Sequence, residues 1–366
     1  MHVKPARQDY IATLDLLRLA AAQAVVIFHY FFRGAASGGA LVEGYPLVAT
    51  LAIYGYLGVN LFFLISGFVI AWSAEGRNWE QFAMARFVRL YPGFLTCMTI
   101  TFIVVASVGA PLFSISFAQY AANLSMFAPA FGQPFMDGVY WSIVLELVFY
   151  GWVTLALFTG VFQKRKLQLI FIWLAISALN EFFIGSRAIR MLLITEFGPF
   201  FAAGVLVHHI HAHGRSQVAL LLLAASFLLS CGTVSVTRDW MLNEYGLAVS
   251  QPHLVIANFA MHAMLICGVL LRSHVQPSAL TLALGGLTYP LYLLHQNIGY
   301  LAINAAGPLV GKWAAAFGCV ALMLFVSWAI WRYVERPVQR MLMTWLGRAV
   351  EVTLARFRRA SAQAAE

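Results

Sequence analysis

Residues 10–30 read Y-I-A-T-L-D-L-L-R-L-A-A-A-Q-A-V-V-I-F-H-Y, a long apolar stretch that carries Asp15, Arg18 and His29. A membrane-spanning helix needs about 20 predominantly apolar residues, which this stretch supplies. Arg18 and His29 stand eleven residues apart. At 3.6 residues per turn, that spacing brings them within about 20° of one face and separates them by about 16 Å along the axis. Ionisable groups inside a membrane helix are costly unless they line a cavity or a polar path, so this stripe is a functional expectation by default. Asp15, three residues before Arg18, is most simply its ion-pair partner.

The rest of the chain has the same character. Hydrophobic residues make up 61% and charged residues 10% of the 366, with a mean hydropathy of +0.80, far from the balance of a soluble domain. The pattern predicts an all-α, polytopic integral membrane protein. Ten runs are long enough to span, near 11–32, 48–72, 90–110, 140–160, 167–184, 191–208, 217–235, 254–272, 279–304 and 313–333. With the N-terminus inside, the basic residues sort unevenly. Lys4, Arg7, Arg77, Arg86, Arg89, Lys164, Arg165, Lys166, Arg215, Arg272 and the seven arginines from Arg332 to Arg359 fall on the cytoplasmic side. Arg33, Arg187, Arg190, Arg238 and Lys312 fall outside. Lysine and arginine are retained on the cytoplasmic side of short loops, so both termini are expected there. The net charge of +9 reflects that bias and does not imply nucleic acid.

The N-terminus could pass for a leader, but a secretory apolar core is shorter and lacks Asp15, Arg18 and His29, so an uncleaved anchor is expected. Cys97, Cys231, Cys267 and Cys319 are scattered through apolar runs without Cys-x-x-Cys spacing and read as small core residues. No internal repeat or second globular domain is evident. Residues 1–340 read as one transmembrane domain, and 341–366 as a basic amphipathic tail lying on the anionic inner surface.

Several stretches carry chemistry. Arg86 and Arg89, in A-R-F-V-R-L-Y-P, share a helix face. Two guanidiniums there suit phosphates, and they suit equally an anchor against lipid headgroups. Glu146, in V-Y-W-S-I-V-L-E-L-V-F-Y, lies at a depth similar to His29. The two fit a base with its orienting carboxylate, or a structural pair that satisfies itself. Residues 285–297, G-G-L-T-Y-P-L-Y-L-L-H-Q-N, contribute Tyr289, Tyr292 and His295. A lone histidine in an apolar helix is more often a hydrogen-bonded structural residue than a catalyst. His208, His209, His211 and His213 cluster at a helix end, where the dipole favours them without a metal, and no metal site is expected.

Taken in order, L-D-x-x-R with ten residues between Arg18 and His29, F-F-L-I-S-G-F, R-F-V-R, W-S-I-V-L-E-L-V-F-Y, Y-P-L-Y-L-L-H and V-E-R-P resemble the bacterial acyltransferase-3 family of membrane-bound O-acyltransferases. The resemblance covers about residues 9–340. It implies a ten-span enzyme of the inner (cytoplasmic) membrane that moves an acetyl or similar group from cytosolic acyl-CoA to a hydroxyl of an exported carbohydrate, a glycolipid or a small molecule. It implies His29 as the catalytic histidine, Arg18 as its essential arginine, and Arg86 and Arg89, with Ser66 of the F-F-L-I-S-G-F stretch, as donor-binding residues. Glu146 is expected to orient the base or the acceptor. Expected partners are the acceptor and membrane lipids, with acetyl-CoA as donor substrate and no metal. A transporter or flippase would also place an arginine and a histidine on one intramembrane face, but it would show matched inverted halves, which are not evident. The motifs leave the acceptor's identity, the acyl chain length and the oligomeric state open.

Overall fold

A computed structural model describes residues 10–36, 39–247 and 249–346; Lys4, Arg7 and the tail from residue 347 lie outside them. No strand occurs among the described residues. The opening stretch forms α1 (Ala12–Phe28), which runs on through a π-helical turn at His29–Arg33. Next, α2 (Pro46–Ala52), begun by a proline whose fixed φ suits a first turn, passes through a 3-10 turn into α3 (Gly58–Ala74).

The helix α4 (Trp79–Val108) begins well before the expected span, so Arg86 and Arg89 sit inside it. Asn78 caps it: its side chain accepts from the Gln81 N–H, and the Gln81 side chain accepts from the Asn78 N–H. The long loop expected near 111–139 is not open chain. It holds α5 (Phe117–Asn123) and is pinned by Asn123, whose side chain bonds the carbonyls of Gln119 and Pro134 and the N–H of Met136.

There follow α6 (Trp141–Phe158), α7 (Val161–Leu179), the short α8 (Arg187–Leu193) and α9 (Gly198–His213). The chain continues through α10 (Gln217–Tyr245), α11 (Gln251–Leu270), α12 (Ala279–Val310) and α13 (Lys312–Ile330). Among the described residues nine helical segments are long and apolar enough to cross a membrane. The expected ninth run, 279–304, forms most of α12, a single helix of 32 residues that carries Thr288, His295, Gln296 and Asn297 buried in its middle. Those polar residues lower its hydropathy and mark it as an inner helix.

The centre of the bundle is built from α1, α3, α9 and α12. The crossing of α3 and α9 requires glycine on both sides: a Cβ on Gly67 would stand 2.1 Å from the Phe201 carbonyl oxygen, and one on Gly204 would stand 2.1 Å from that of Leu64. Small residues at a crossing let membrane helices approach backbone to backbone. Around this centre, α7, α10, α11 and α13 expose Phe171, Leu221, Leu228, Phe259, Phe317 and Phe325. Such an apolar periphery suits lipid, in which every backbone group must be satisfied within its own helix.

Candidate active site

Five of the six residues singled out from sequence line one polar cavity of about 110 Å³: Arg18, Ser66, Arg86, Arg89 and Glu146. They come from four helices, α1, α3, α4 and α6. The sixth, His29, lines a second cavity of about 800 Å³. Val59 and Tyr292 line both, so the two spaces adjoin at these side chains. The Tyr292 hydroxyl is 2.7 Å from Ser142 Oγ and donates to the Val139 carbonyl at 3.2 Å, while the Phe62 ring packs edge-on against it.

The three guanidiniums of the small cavity are not equivalent. Arg18 donates to Asp15 at 2.8 Å, the pair expected from their spacing. Arg89 is paired with Glu335, whose carboxylate is buried and also accepts from Gln339 Nε2 at 2.8 Å. Arg86 has no carboxylate partner among the described residues. It donates to Ser73 Oγ at 3.0 Å, lies over the Phe82 and Tyr150 rings, and keeps a buried Nε without a hydrogen bond. Arg86 and Arg89 are thus half-buried, line the cavity and are each held by a protein group, Ser73 and Glu335.

Glu146 does not orient His29. Its carboxylate accepts from Ser66 Oγ at 2.9 Å and from the Tyr150 hydroxyl, inside the cavity of the guanidiniums. The imidazole of His29 instead turns toward α12.

His29 is buried at the point where α1 widens into the π-helical turn, an irregularity that recurs at functional sites. Its Nδ1 is 2.8 Å from the Val25 carbonyl oxygen and 3.1 Å from Nε2 of His295. His29 lines the large cavity, and its Nε2 accepts from Arg33 Nη1 at 3.4 Å. Arg33 is held by Gln296 Oε1 at 3.1 Å. The ring of His295, fully buried, has Nδ1 2.8 Å from the Tyr292 carbonyl oxygen and 3.1 Å from that of Leu291. Close by, Asp137 accepts the N–H groups of Asn297 and Val139. Burial pushes its carboxyl up to about 6 against those bonds.

Sequence reasoning left His295 a structural residue and passed over Arg33, Gln296 and Glu335 as site residues. The available signal was that His29 and His295 are each set in an apolar run, with no carboxylate at helical spacing. The histidine cluster at the end of α9 is a separate feature: His208 and His213, with Lys166, face the carboxylate of Glu75 at 3.6 to 3.8 Å.

A family model described as an acyltransferase domain matches residues 11–332. The chain belongs to the acyltransferase-3 family. It is thus an acyltransferase, and its long apolar helices make it a multi-pass membrane protein. Among named proteins it is similar to acyltransferase MdmB of Streptomyces mycarofaciens, 35% identical over 112 residues, a match that spans 29% of this chain and 27% of that one. It is also similar to Nodulation protein 10 of Rhizobium leguminosarum bv. viciae, 24% identical over 92% of this chain and 96% of that one. No solved structure gives a significant match.

Proposed function

We propose that this protein is an O-acyltransferase of the inner membrane that moves a short acyl group, such as acetyl, from cytosolic acyl-CoA to a hydroxyl of a cell-surface or exported carbohydrate or glycolipid. The observation that carries the reading is the pair of cavities that share Val59 and Tyr292 as lining, one lined by three guanidiniums and the other by His29, whose Nε2 has only a long 3.4 Å contact, from Arg33 Nη1. Arginine suits the phosphates of coenzyme A, and the orphaned Nε of Arg86 is a donor without a protein acceptor. Basic residues of the expected inner set, Arg86 and Arg89, line the first cavity, and those of the expected outer set, Arg33, Arg187 and Arg190, line the second. That division supports cytoplasmic termini and an approach of donor and acceptor from opposite sides.

In this reading the acceptor hydroxyl occupies the large cavity and gives its proton to His29 Nε2. Its oxygen attacks the thioester carbonyl carbon, the carbon–sulfur bond breaks, and the proton passes from His29 to the departing thiolate. We assign the Arg33 guanidinium, next to His29 Nε2, to the negative charge that develops on the carbonyl oxygen; a fixed donor of this kind is worth about 100-fold or more in rate. Arg18, Ser66 and Glu146 line the donor cavity, with Arg86 and Arg89 as its phosphate-facing cations.

The test is transfer of label from radiolabelled acetyl-CoA in membranes bearing the wild type or His29→Ala, followed into glycan, lipid and small-molecule fractions. Label that depends on His29 and enters the glycan or glycolipid fraction supports the reading. Equal labelling by the variant at equal protein overturns it.

A further inference from the structure

The hydrogen bonds around the two buried imidazoles admit one assignment of protons. A carbonyl oxygen only accepts, so a ring nitrogen that lies against one at hydrogen-bond distance carries the hydrogen. Nδ1 of His295 faces two such oxygens, those of Tyr292 and Leu291, and is therefore N–H. In the neutral ring Nε2 of His295 is then a lone pair. It points at Nδ1 of His29, 3.1 Å away. That nitrogen also faces the Val25 carbonyl at 2.8 Å, so it too is N–H and divides its bond between the two acceptors. Nε2 of His29 is then the lone-pair nitrogen of its ring; it accepts from Arg33 Nη1 across a long 3.4 Å, a contact that an acceptor hydroxyl replaces, and His29 lines the large cavity. None of the hydrogen bonds to either ring involves a carboxylate among the described residues.

We propose that His295 is the positioning residue of the catalytic base: through its Nε2 it holds His29 in the Nδ1–H form and supports the imidazolium that forms when His29 takes the acceptor's proton. This rests on the reading of His29 as the base. In a serine-hydrolase triad a carboxylate performs the same task, fixing the tautomer and stabilising the imidazolium. Here a neutral imidazole does so, itself oriented by the carbonyls of the proline-containing segment Y-P-L-Y-L-L-H. Within α12 a carboxylate at this place would bring a net charge into the middle of the bundle, which a neutral acceptor avoids. The backbone of His295 is also held. Tyr30, next to His29, donates its hydroxyl to the His295 carbonyl at 2.8 Å, which ties the end of α1 to this turn of α12.

The experiment uses the full chain reconstituted in liposomes with acetyl-CoA, comparing His295→Phe, which keeps a planar ring without an acceptor, with His295→Gln, which keeps an acceptor oxygen. Expected is a fall in kcat of about 100-fold or more for His295→Phe, on the scale of lost general-base function, with the KM for acetyl-CoA unchanged. His295→Gln is expected to recover at least tenfold of that loss. Equal losses in both variants, a kcat within threefold of wild type in His295→Phe, or a loss confined to KM would overturn the proposal. A second measurement is independent of turnover and is read from the wild type. Nitrogen-15 spectra of histidine-labelled wild type, with the His29 signals assigned by their disappearance in His29→Gln, are expected to show His29 as the Nδ1–H tautomer. The opposite tautomer refutes the inference. If His29→Ala itself retains transfer, the base assignment fails. If His29→Ala is inactive while His295→Phe is not, only the role of His295 fails.

Discussion

Arg86 and Arg89 share a motif and a helix face, yet their surroundings make the same substitution act on different quantities. Arg86→Gln removes a guanidinium whose protein bond is to Ser73 Oγ and whose remaining donors face the cavity or lie unpaired. Folding should lose about 1 kcal/mol, the value of one ordinary hydrogen bond. Donor binding should lose about 2 kcal/mol, typical of a hydrogen bond to a charged group, which is about 30-fold in affinity. Arg89→Gln leaves the Glu335 carboxylate buried with Gln339 alone, and an uncompensated buried charge costs about 3 kcal/mol or more in stability. Adding Glu335→Gln removes that charge and should restore most of the loss. Detergent-purified variants, titrated with coenzyme A by calorimetry and melted without it, separate the two. The expected pattern is weak binding with near-normal melting for Arg86→Gln, and depressed melting, rescued by the double substitution, for Arg89→Gln. Normal coenzyme A affinity in Arg86→Gln would refute the donor site, and normal melting of Arg89→Gln would refute the buried pair.

Two other perturbations test the frame around the site. Gly204→Leu should abolish folded protein in size-exclusion chromatography, because even its Cβ meets the Leu64 carbonyl at 2.1 Å; Gly318→Ala, with open space around it, should be tolerated. Asp137, whose carboxyl rises from 3.8 to about 6 on burial, keeps its proton in the folded state over a range where the unfolded chain has lost it. The unfolded state is therefore favoured as pH rises through that window. Relative to Asp137→Asn, wild type should lose about 3 kcal/mol of stability between pH 4 and 6, read as a difference in melting across pH.

What the sequence made legible is what local spacing controls. The apolar runs marked the spans, and the i, i+3 spacing of Asp15 and Arg18 marked a pair that forms. Hydropathy placed the start of α4 too late, because the helix continues through polar residues from Trp79 onward. Run length alone counted 279–304 as an ordinary span, although the polar residues Thr288, His295, Gln296 and Asn297 at its middle carried the sign of an inner helix. The partners that define the site are remote: Arg89 meets Glu335 across 246 residues, and His29 meets His295 across 266. Depth in the membrane brought His29 and Glu146 to a similar level, but the rotation of each helix decided their partners. Glu146 turns to Ser66 and Tyr150, and His29 turns to α12. That rotation is set by packing, including the glycine crossing of α3 with α9, and no single helix encodes it.

The reading depends most on donor and acceptor meeting at His29 from opposite cavities. The most direct measurement supplies labelled acetyl-CoA from outside to sealed vesicles of either orientation, bearing wild type or His29→Ala. Labelled acceptor should form in inside-out vesicles of wild type alone; equal labelling of right-side-out vesicles, or labelling sustained by His29→Ala, would contradict it.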